Sequence, residues 1–234
     1  MKEKITAIIL AAGSGRRMNS AVPKQYLLLD GRPVLYYTLR AFEESAVTDI
    51  VLVIGADEIE YCRQEFMEKY RLSKITAVVA GGRERYHSVY EGLKAAAGSD
   101  YVLIHDGARP FVTADVIARS IEAVKVSGAC AAGMPVKDTI KVVDADGLVK
   151  ETPVRSTLWQ IQTPQSFSCP LITRAYKEMI ASGRESSVTD DAMVLERMTG
   201  QRVRVIEGDY RNIKITTPED LLVAEAYIKD VEKK

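Results

Sequence analysis

The run Ile5-Thr-Ala-Ile-Ile-Leu-Ala-Ala-Gly-Ser-Gly-Arg-Arg-Met18, followed at short range by Pro23-Lys24-Gln25, decides how the rest of the chain is read. Six residues with the composition of a buried strand give way to small residues and then to two arginines. Small residues at the carboxyl end of a strand let backbone N–H groups come close to an anion, and open α/β sheets bind their ligands at that edge. A dinucleotide fingerprint would need a third small residue where Met18 stands, and a P-loop would need Gly-Lys-Ser/Thr; the run has neither. On these residues alone, a phosphate-cradling loop and an ordinary tight turn with surface arginines both stay open.

Further apolar runs at Ile50–Ile54, Ile75–Val79, Tyr101–His105, Ala129–Pro135, Thr139–Val143, Val203–Ile206 and Ile213–Thr216 predict strands. Helical spacing falls between them, over Val34–Glu44, Asp57–Tyr70, Glu84–Ala97, Ala114–Val126, Leu171–Ile180, Asp190–Met198 and Pro218–Val231. This alternation predicts an α/β protein, a Rossmann-like three-layer α/β/α arrangement with a mainly parallel sheet covered on both faces. Thr113 before one helix and Gly128 after it are cap signals, as is Thr217-Pro-Glu-Asp220 before the last. Val136–Val154 breaks the alternation, reading as two strand segments around the turn signal Asp144-Ala-Asp-Gly147. With no helix to cover it, residues 137–157 are expected to protrude as a β-arm that buries its apolar side chains on a second copy of the chain. A hairpin folded onto its own sheet is the plainer alternative. No linker or repeat divides residues 1–234, which are expected to form one domain.

Composition narrows the partners. The 234 residues, 47% hydrophobic, suffice for one large core, and 32 basic residues balance 32 acidic ones. That balance argues against nucleic acid and against an anionic membrane surface, which need uncompensated positive charge. The apolar run Ile5–Ala12 is far short of the roughly 20 residues that span a bilayer, and no signal-peptide pattern is read. Cys62, Cys130 and Cys169 are odd in number and form no CxxC pair, so neither a disulfide framework nor a zinc site is indicated and the cytoplasm is the expected compartment.

Six blocks in order carry a resemblance over nearly the whole chain. They are Ala11-Ala-Gly-Ser-Gly-Arg-Arg-Met18 with Pro23-Lys-Gln-Tyr26, Gly81-Gly-Arg-Glu-Arg-Tyr-His-Ser88, His105-Asp-Gly-Ala-Arg-Pro110, Val136-Lys-Asp-Thr-Ile-Lys141, Gln162-Thr-Pro-Gln165 and Asn212-Ile-Lys-Ile-Thr216. Together they resemble the 2-C-methyl-D-erythritol 4-phosphate cytidylyltransferase family, within the nucleotidyltransferases. The resemblance implies transfer of a cytidylyl group from CTP to a sugar-alcohol phosphate, with release of pyrophosphate, in the non-mevalonate route to isoprenoids. Two histidines in the whole chain are compatible with this, because a largely dianionic phosphate needs no base to unmask it. The task is charge management by Arg, Lys and Mg²⁺ or another divalent cation.

Carried over residue by residue, the resemblance implies catalytic roles for Arg17 and Lys24 at the α-phosphate and for Arg155 and Lys214 on the attacking phosphate. It implies a CTP pocket from Ala11, Ala12, Gly13, Ser14, Gly15, Gly81, Gly82, Ser88 and Asp106, with Arg16 pointing outward. The acceptor would meet Asp106, Arg109, Thr139, Arg155, Thr163 and Lys214, and Asp106 is the one residue proposed for the metal. Asp106 as a helix-capping aspartate, and Arg155 and Lys214 as surface cations, are the plainer readings. Where the family often carries an acid this chain has Arg83, a departure that concerns its side chain, since base contacts there are expected from backbone. Arg155 is expected to reach the partner's site, so that a homodimer shares its active sites. The rivals are a ribitol-5-phosphate cytidylyltransferase and, more remotely, a nucleotide-dependent oxidoreductase.

Overall fold

The computed structural model describes residues 3–13, 18, 22–185 and 188–231. Ser14, Gly15, Arg16 and Arg17 therefore lie outside the described residues. The strands are β1 (Ile5–Leu10), β2 (Leu28–Leu29), β3 (Arg32–Pro33), β4 (Asp49–Ile54), β5 (Ile75–Ala80), β6 (Tyr101–Asp106), β7 (Ala129–Pro135), β8 (Val142–Val143), β9 (Val149–Glu151), β10 (Trp159–Ser168) and β11 (Arg204–Glu207). The helices are α1 (Val34–Glu43), α2 (Ile59–Cys62, running on as a π-helix over Arg63–Lys69), α3 (Arg85–Ala95), α4 (Ala114–Ser127), α5 (Cys169–Ser182), α6 (Asp191–Thr199) and α7 (Pro218–Val231).

Seven strands form one sheet in the order β11-β7-β10-β6-β1-β4-β5. The pairs β1/β4, β1/β6, β4/β5 and β7/β11 are parallel, and β10 alone runs against its neighbours β6 and β7. The side chains of β1 explain the layering, since successive residues of a strand face opposite ways. Ile5, Ala7 and Ile9 join the core beneath α1, α2 and α4, whereas Ile8 joins the core beneath α3, α5 and α6. Both faces are covered, so the strand reads as a continuous apolar run. The mainly parallel α/β sheet expected from the sequence is what the chain forms.

Local signals act where expected. Thr113 accepts the Val116 N–H at the start of α4, and Gly128 ends that helix at φ 74°, a left-handed backbone that favours glycine. Two expectations need correction. Ile213–Thr216 is no strand: it returns across the molecule, where the Ile215 N–H donates to Ala108 and Ile215 packs with Leu29 and Val34. β10 is a strand that no apolar run announces, since its buried side chains include Gln162, Thr163, Gln165 and Ser166.

Residues 142–151 do form a hairpin. Asp144 accepts the N–H groups of Asp146 and Leu148, and Gly147 takes φ 81°. The two strands form a sheet of their own, and Val142, Val143, Leu148 and Val149 are exposed.

Candidate active site

Parallel strands of one sheet end on one side, and the chain leaves β1, β5 and β6 there to enclose a cleft of about 650 Å³, within the range of small-molecule sites. Ala11, Ala12 and Gly13 form one wall directly after β1. Gly82 and Ser88 form another, where the Ser88 hydroxyl accepts the Gly82 N–H at 3.1 Å. Gly81 lies behind this wall: a Cβ there would run into the side chains of Ala12 and Ser88, so glycine lets the two strand ends approach.

Asp106, the last residue of β6, is the centre of charge. Its Oδ2 lies 2.8 Å from Lys214 Nζ and 3.7 Å from Arg109 Nε, and its Oδ1 lies 3.5 Å from Arg85 Nε. Its backbone N–H donates to the Thr163 hydroxyl of β10 at 3.1 Å. Burial alone would raise the carboxyl pKa, but the neighbouring Arg85, then Lys214 and Arg109, hold it well below the usual carboxylate range. The carboxylate is thus ionised and surrounded by cations.

Lys24 opens a short 3₁₀ turn, Lys24–Tyr26, lines the cleft, and donates to the Ile215 carbonyl at 3.1 Å. Tyr26 fixes that turn from outside, donating to Glu58 at 2.9 Å. Lys214 comes from the segment that returns after β11. Asn212, fully buried, holds that segment by donating to the Thr163 carbonyl at 2.8 Å, and Arg109 donates to the Asn212 carbonyl at 2.7 Å. Arg109 thereby sits under the cleft with a side chain only 13% exposed. His105 is entirely buried against Phe42, and desolvation pushes its pKa down to about 3, which keeps the ring neutral.

The structure therefore brings Ala11, Ala12, Gly13, Lys24, Gly82, Ser88, Asp106 and Lys214 to one cleft, with Gly81, Arg109 and Thr163 packed beside or beneath it. Thr139 and Arg155 are not among its lining residues. Both belong to the arm and are exposed, and Arg155 donates to the Lys137 carbonyl at 3.0 Å. Arg83 is exposed where it lines the cleft. Arg85, given no role by the sequence reading, lines the cleft and faces Asp106.

The described residues gather no group of three or more His, Cys, Asp or Glu side chains able to hold a metal. Asp106 offers one carboxylate. That donor set fits Mg²⁺ bound in the manner usual for nucleotide enzymes, with one protein carboxylate and the remaining oxygens from phosphates and water. It does not fit an all-protein cation cage.

Comparison with known proteins identifies the family. The sequence model of the family described as 2-C-methyl-D-erythritol 4-phosphate cytidylyltransferase matches residues 5–230. A protein of that name from Lachnoclostridium phytofermentans is 49% identical over 228 residues, covering 97% of each chain. One from Geobacter metallireducens is 48% identical over 231 residues, covering 97% of this chain and 98% of its own. Among solved structures, the 4-diphosphocytidyl-2C-methyl-D-erythritol synthase of Anaerococcus prevotii superposes with a TM-score of 0.85 at 39% identity, covering 97% of this chain and 96% of its own. The 2-C-methyl-D-erythritol 4-phosphate cytidylyltransferase of Thermus thermophilus gives 0.76 at 32% identity, covering 97% and 99%.

Proposed function

Because the chain belongs to the 2-C-methyl-D-erythritol 4-phosphate cytidylyltransferase family, we propose that its cleft joins CTP to 2-C-methyl-D-erythritol 4-phosphate. The products are 4-diphosphocytidyl-2-C-methyl-D-erythritol and pyrophosphate, within the non-mevalonate route to isoprenoids. A phosphate oxygen of the acceptor bonds to the α-phosphorus of CTP as the bond to the β-phosphate oxygen breaks. The leaving electron pair goes to pyrophosphate.

The observation that carries this reading is the convergence of Lys24, Lys214 and Asp106 on one cleft, beside walls of backbone and small side chains at Ala11, Ala12, Gly13, Gly82 and Ser88. Backbone after β1 and at Gly82, with the Ser88 hydroxyl, holds the nucleotide, and close approach there favours a pyrimidine. Lys24 meets the α-phosphate, where charge develops, and Arg17 joins it from outside the described residues. Lys214, aimed by Asp106 and by the Asn212 anchor, receives the acceptor phosphate. Arg109 and Thr163 keep Asp106 in place for the acceptor. Asp106 would be the protein ligand of a bound Mg²⁺ ion, which would supply neutralisation of the triphosphate's charge.

Thr139 and Arg155 complete the acceptor site from the arm of a second copy, which makes the working enzyme a homodimer with shared sites. Exposed apolar side chains along the arm, including Leu148 at 66% and Val154 at 67%, support that assembly. The three cysteines are free and buried, the state a reducing compartment maintains, which supports the cytoplasm as its location. No helix among the described residues is long and apolar enough to cross a membrane.

Pyrophosphate release measured with CTP and either methylerythritol phosphate or ribitol 5-phosphate tests the assignment. Preference for methylerythritol phosphate is expected. Preference for ribitol phosphate would replace the acceptor, and absence of turnover with both would remove the reading.

A further inference from the structure

Arg85, the first residue of α3, lies between two carboxylates. Its Nη1 and Nη2 donate to Oδ1 and Oδ2 of Asp191, each at 2.8 Å, a planar two-point pair. Asp191, the first residue of α6, has no exposed surface, and the Tyr176 hydroxyl of α5 donates to its Oδ1 at 2.5 Å. The start of α6 is itself clamped by Gln165 of β10, which donates to Asp190 at 3.0 Å and accepts the Ala192 N–H at 2.9 Å. Asp191 is therefore held from α3 and α5, and the start of its own helix from β10.

A guanidinium with both terminal nitrogens committed to one carboxylate cannot turn without breaking two charge-assisted bonds. Its third nitrogen, Nε, faces Asp106 Oδ1 at 3.5 Å, while Lys214 meets the other carboxylate oxygen. Lys214, Arg109 and Arg85 all face Asp106 as cations, and the two-point bond of Arg85 to Asp191 fixes the direction from which its charge acts. A tie that served only to join α3 to α6 would not line the cleft, as Arg85 does.

We propose that Arg85 is a positioning residue for the transfer reaction, braced by Asp191 and Tyr176, and that it holds the Asp106 carboxylate turned toward Lys214. The proposal rests on the functional reading above and deepens it. Lysine at position 85 would keep the charge but, lacking the planar fork, could not serve both carboxylates.

The test is a cycle of Arg85→Lys, Asp106→Asn and the double variant, each normalised to folded protein by thermal melting. Arg85→Lys is expected to lower kcat by about ten- to a hundredfold, the cost of a small misplacement of reacting groups, with KM for CTP within about threefold. In the Asp106→Asn background the same change is expected to alter kcat by less than about threefold, because its route of action is gone. Equal losses in both backgrounds, or full kcat in Arg85→Lys, would overturn the proposal. Tyr176→Phe, which keeps both charges and loosens the brace, is expected to lower kcat several-fold through the same cycle, and it carries the test where Arg85→Lys does not fold. A crystal structure of the Arg85→Lys protein, or of Tyr176→Phe in its place, gives a readout independent of turnover. An Asp106 carboxylate turned away from Lys214 is expected, and one left within about 0.5 Å of its place overturns the proposal. A wild-type enzyme that transfers no cytidylyl group would instead overturn the functional reading.

Discussion

Lys24 and His105 show how differently two ionisable side chains can serve one protein. Lys24 reaches into the cleft, where its ammonium donates to the Ile215 carbonyl at a wall that a ligand's phosphate would meet. Replacing it by alanine is expected to lower kcat by more than about a hundredfold, the size of losing one preorganised charge partner in a transition state; steady-state assays of Lys24→Ala check this. His105 acts on stability. Its folded pKa of about 3 lies below the roughly 6.5 of an unfolded histidine, so the unfolded chain binds the extra proton between those values. The contribution is whole above pH 6.5 and is lost as pH falls toward 3, at up to about 1.4 kcal/mol per pH unit. Asp106, held below its ordinary value, acts with the same sign at lower pH. Urea titrations from pH 7 to 4 should show a steeper loss in the wild type than in His105→Phe, and parallel curves would refute the assignment. Much at this scale was legible in the sequence, because Lys24, Ser88, Asp106 and Lys214 stand in compact motifs. Asp191 was not, since what matters about it is an arginine 106 residues away in the chain.

Helices and strands were legible where burial and apolarity coincide. β1, β4, β5, β6 and β7 read directly from their apolar runs, because both faces of a parallel sheet are buried. β10 hid because several of the side chains it buries are polar. Thr163 serves Asp106, Gln165 clamps α6 and Gln162 donates to the Asp209 carbonyl at 2.8 Å, so these positions are chosen for hydrogen bonds. The register of β10 also shifts between Ile161 and Gln165, around Pro164, which has no N–H to give a ladder. Ile213–Thr216 deceived in the opposite sense, because Ile215 packs beneath α7 and the segment forms no strand. The union of α3 with the sheet can be tested at Gly92, where an added Cβ would strike Ile8 and stand 3.1 Å from Val53 Cγ2. Gly92→Val is expected to cost about 2 kcal/mol by overpacking, read as a lower denaturation midpoint. An unchanged midpoint would show that α3 can move off the sheet freely.

For the molecule as a whole, a net charge of zero conceals a local surplus. Arg85, Arg109 and Lys214 meet around Asp106 and Asp191, and Lys24 lines the same cleft, so a small polyanion finds a positive site on a protein that is neutral overall. The proposed sharing of sites makes a quantitative claim about assembly. Arg155→Ala and Lys214→Ala homodimers should each be nearly inactive. Mixed and re-equilibrated, they should recover about a quarter of wild-type activity, since two-fold symmetry gives half of the dimers one intact site of two. A monomeric mass at working concentration together with full activity would refute sharing.

The hydrogen bond from Lys24 to Ile215 joins residues 191 positions apart. During synthesis, which adds about 5–20 residues per second, some 10–40 s must separate the appearance of its two ends. The strands that carry Asp106 and the glycine wall can pair on the ribosome well before Lys214 exists. A nascent chain is thus expected to own a formed nucleotide wall with no cation to receive the acceptor, and to become an enzyme only when its last stretch folds back across the sheet.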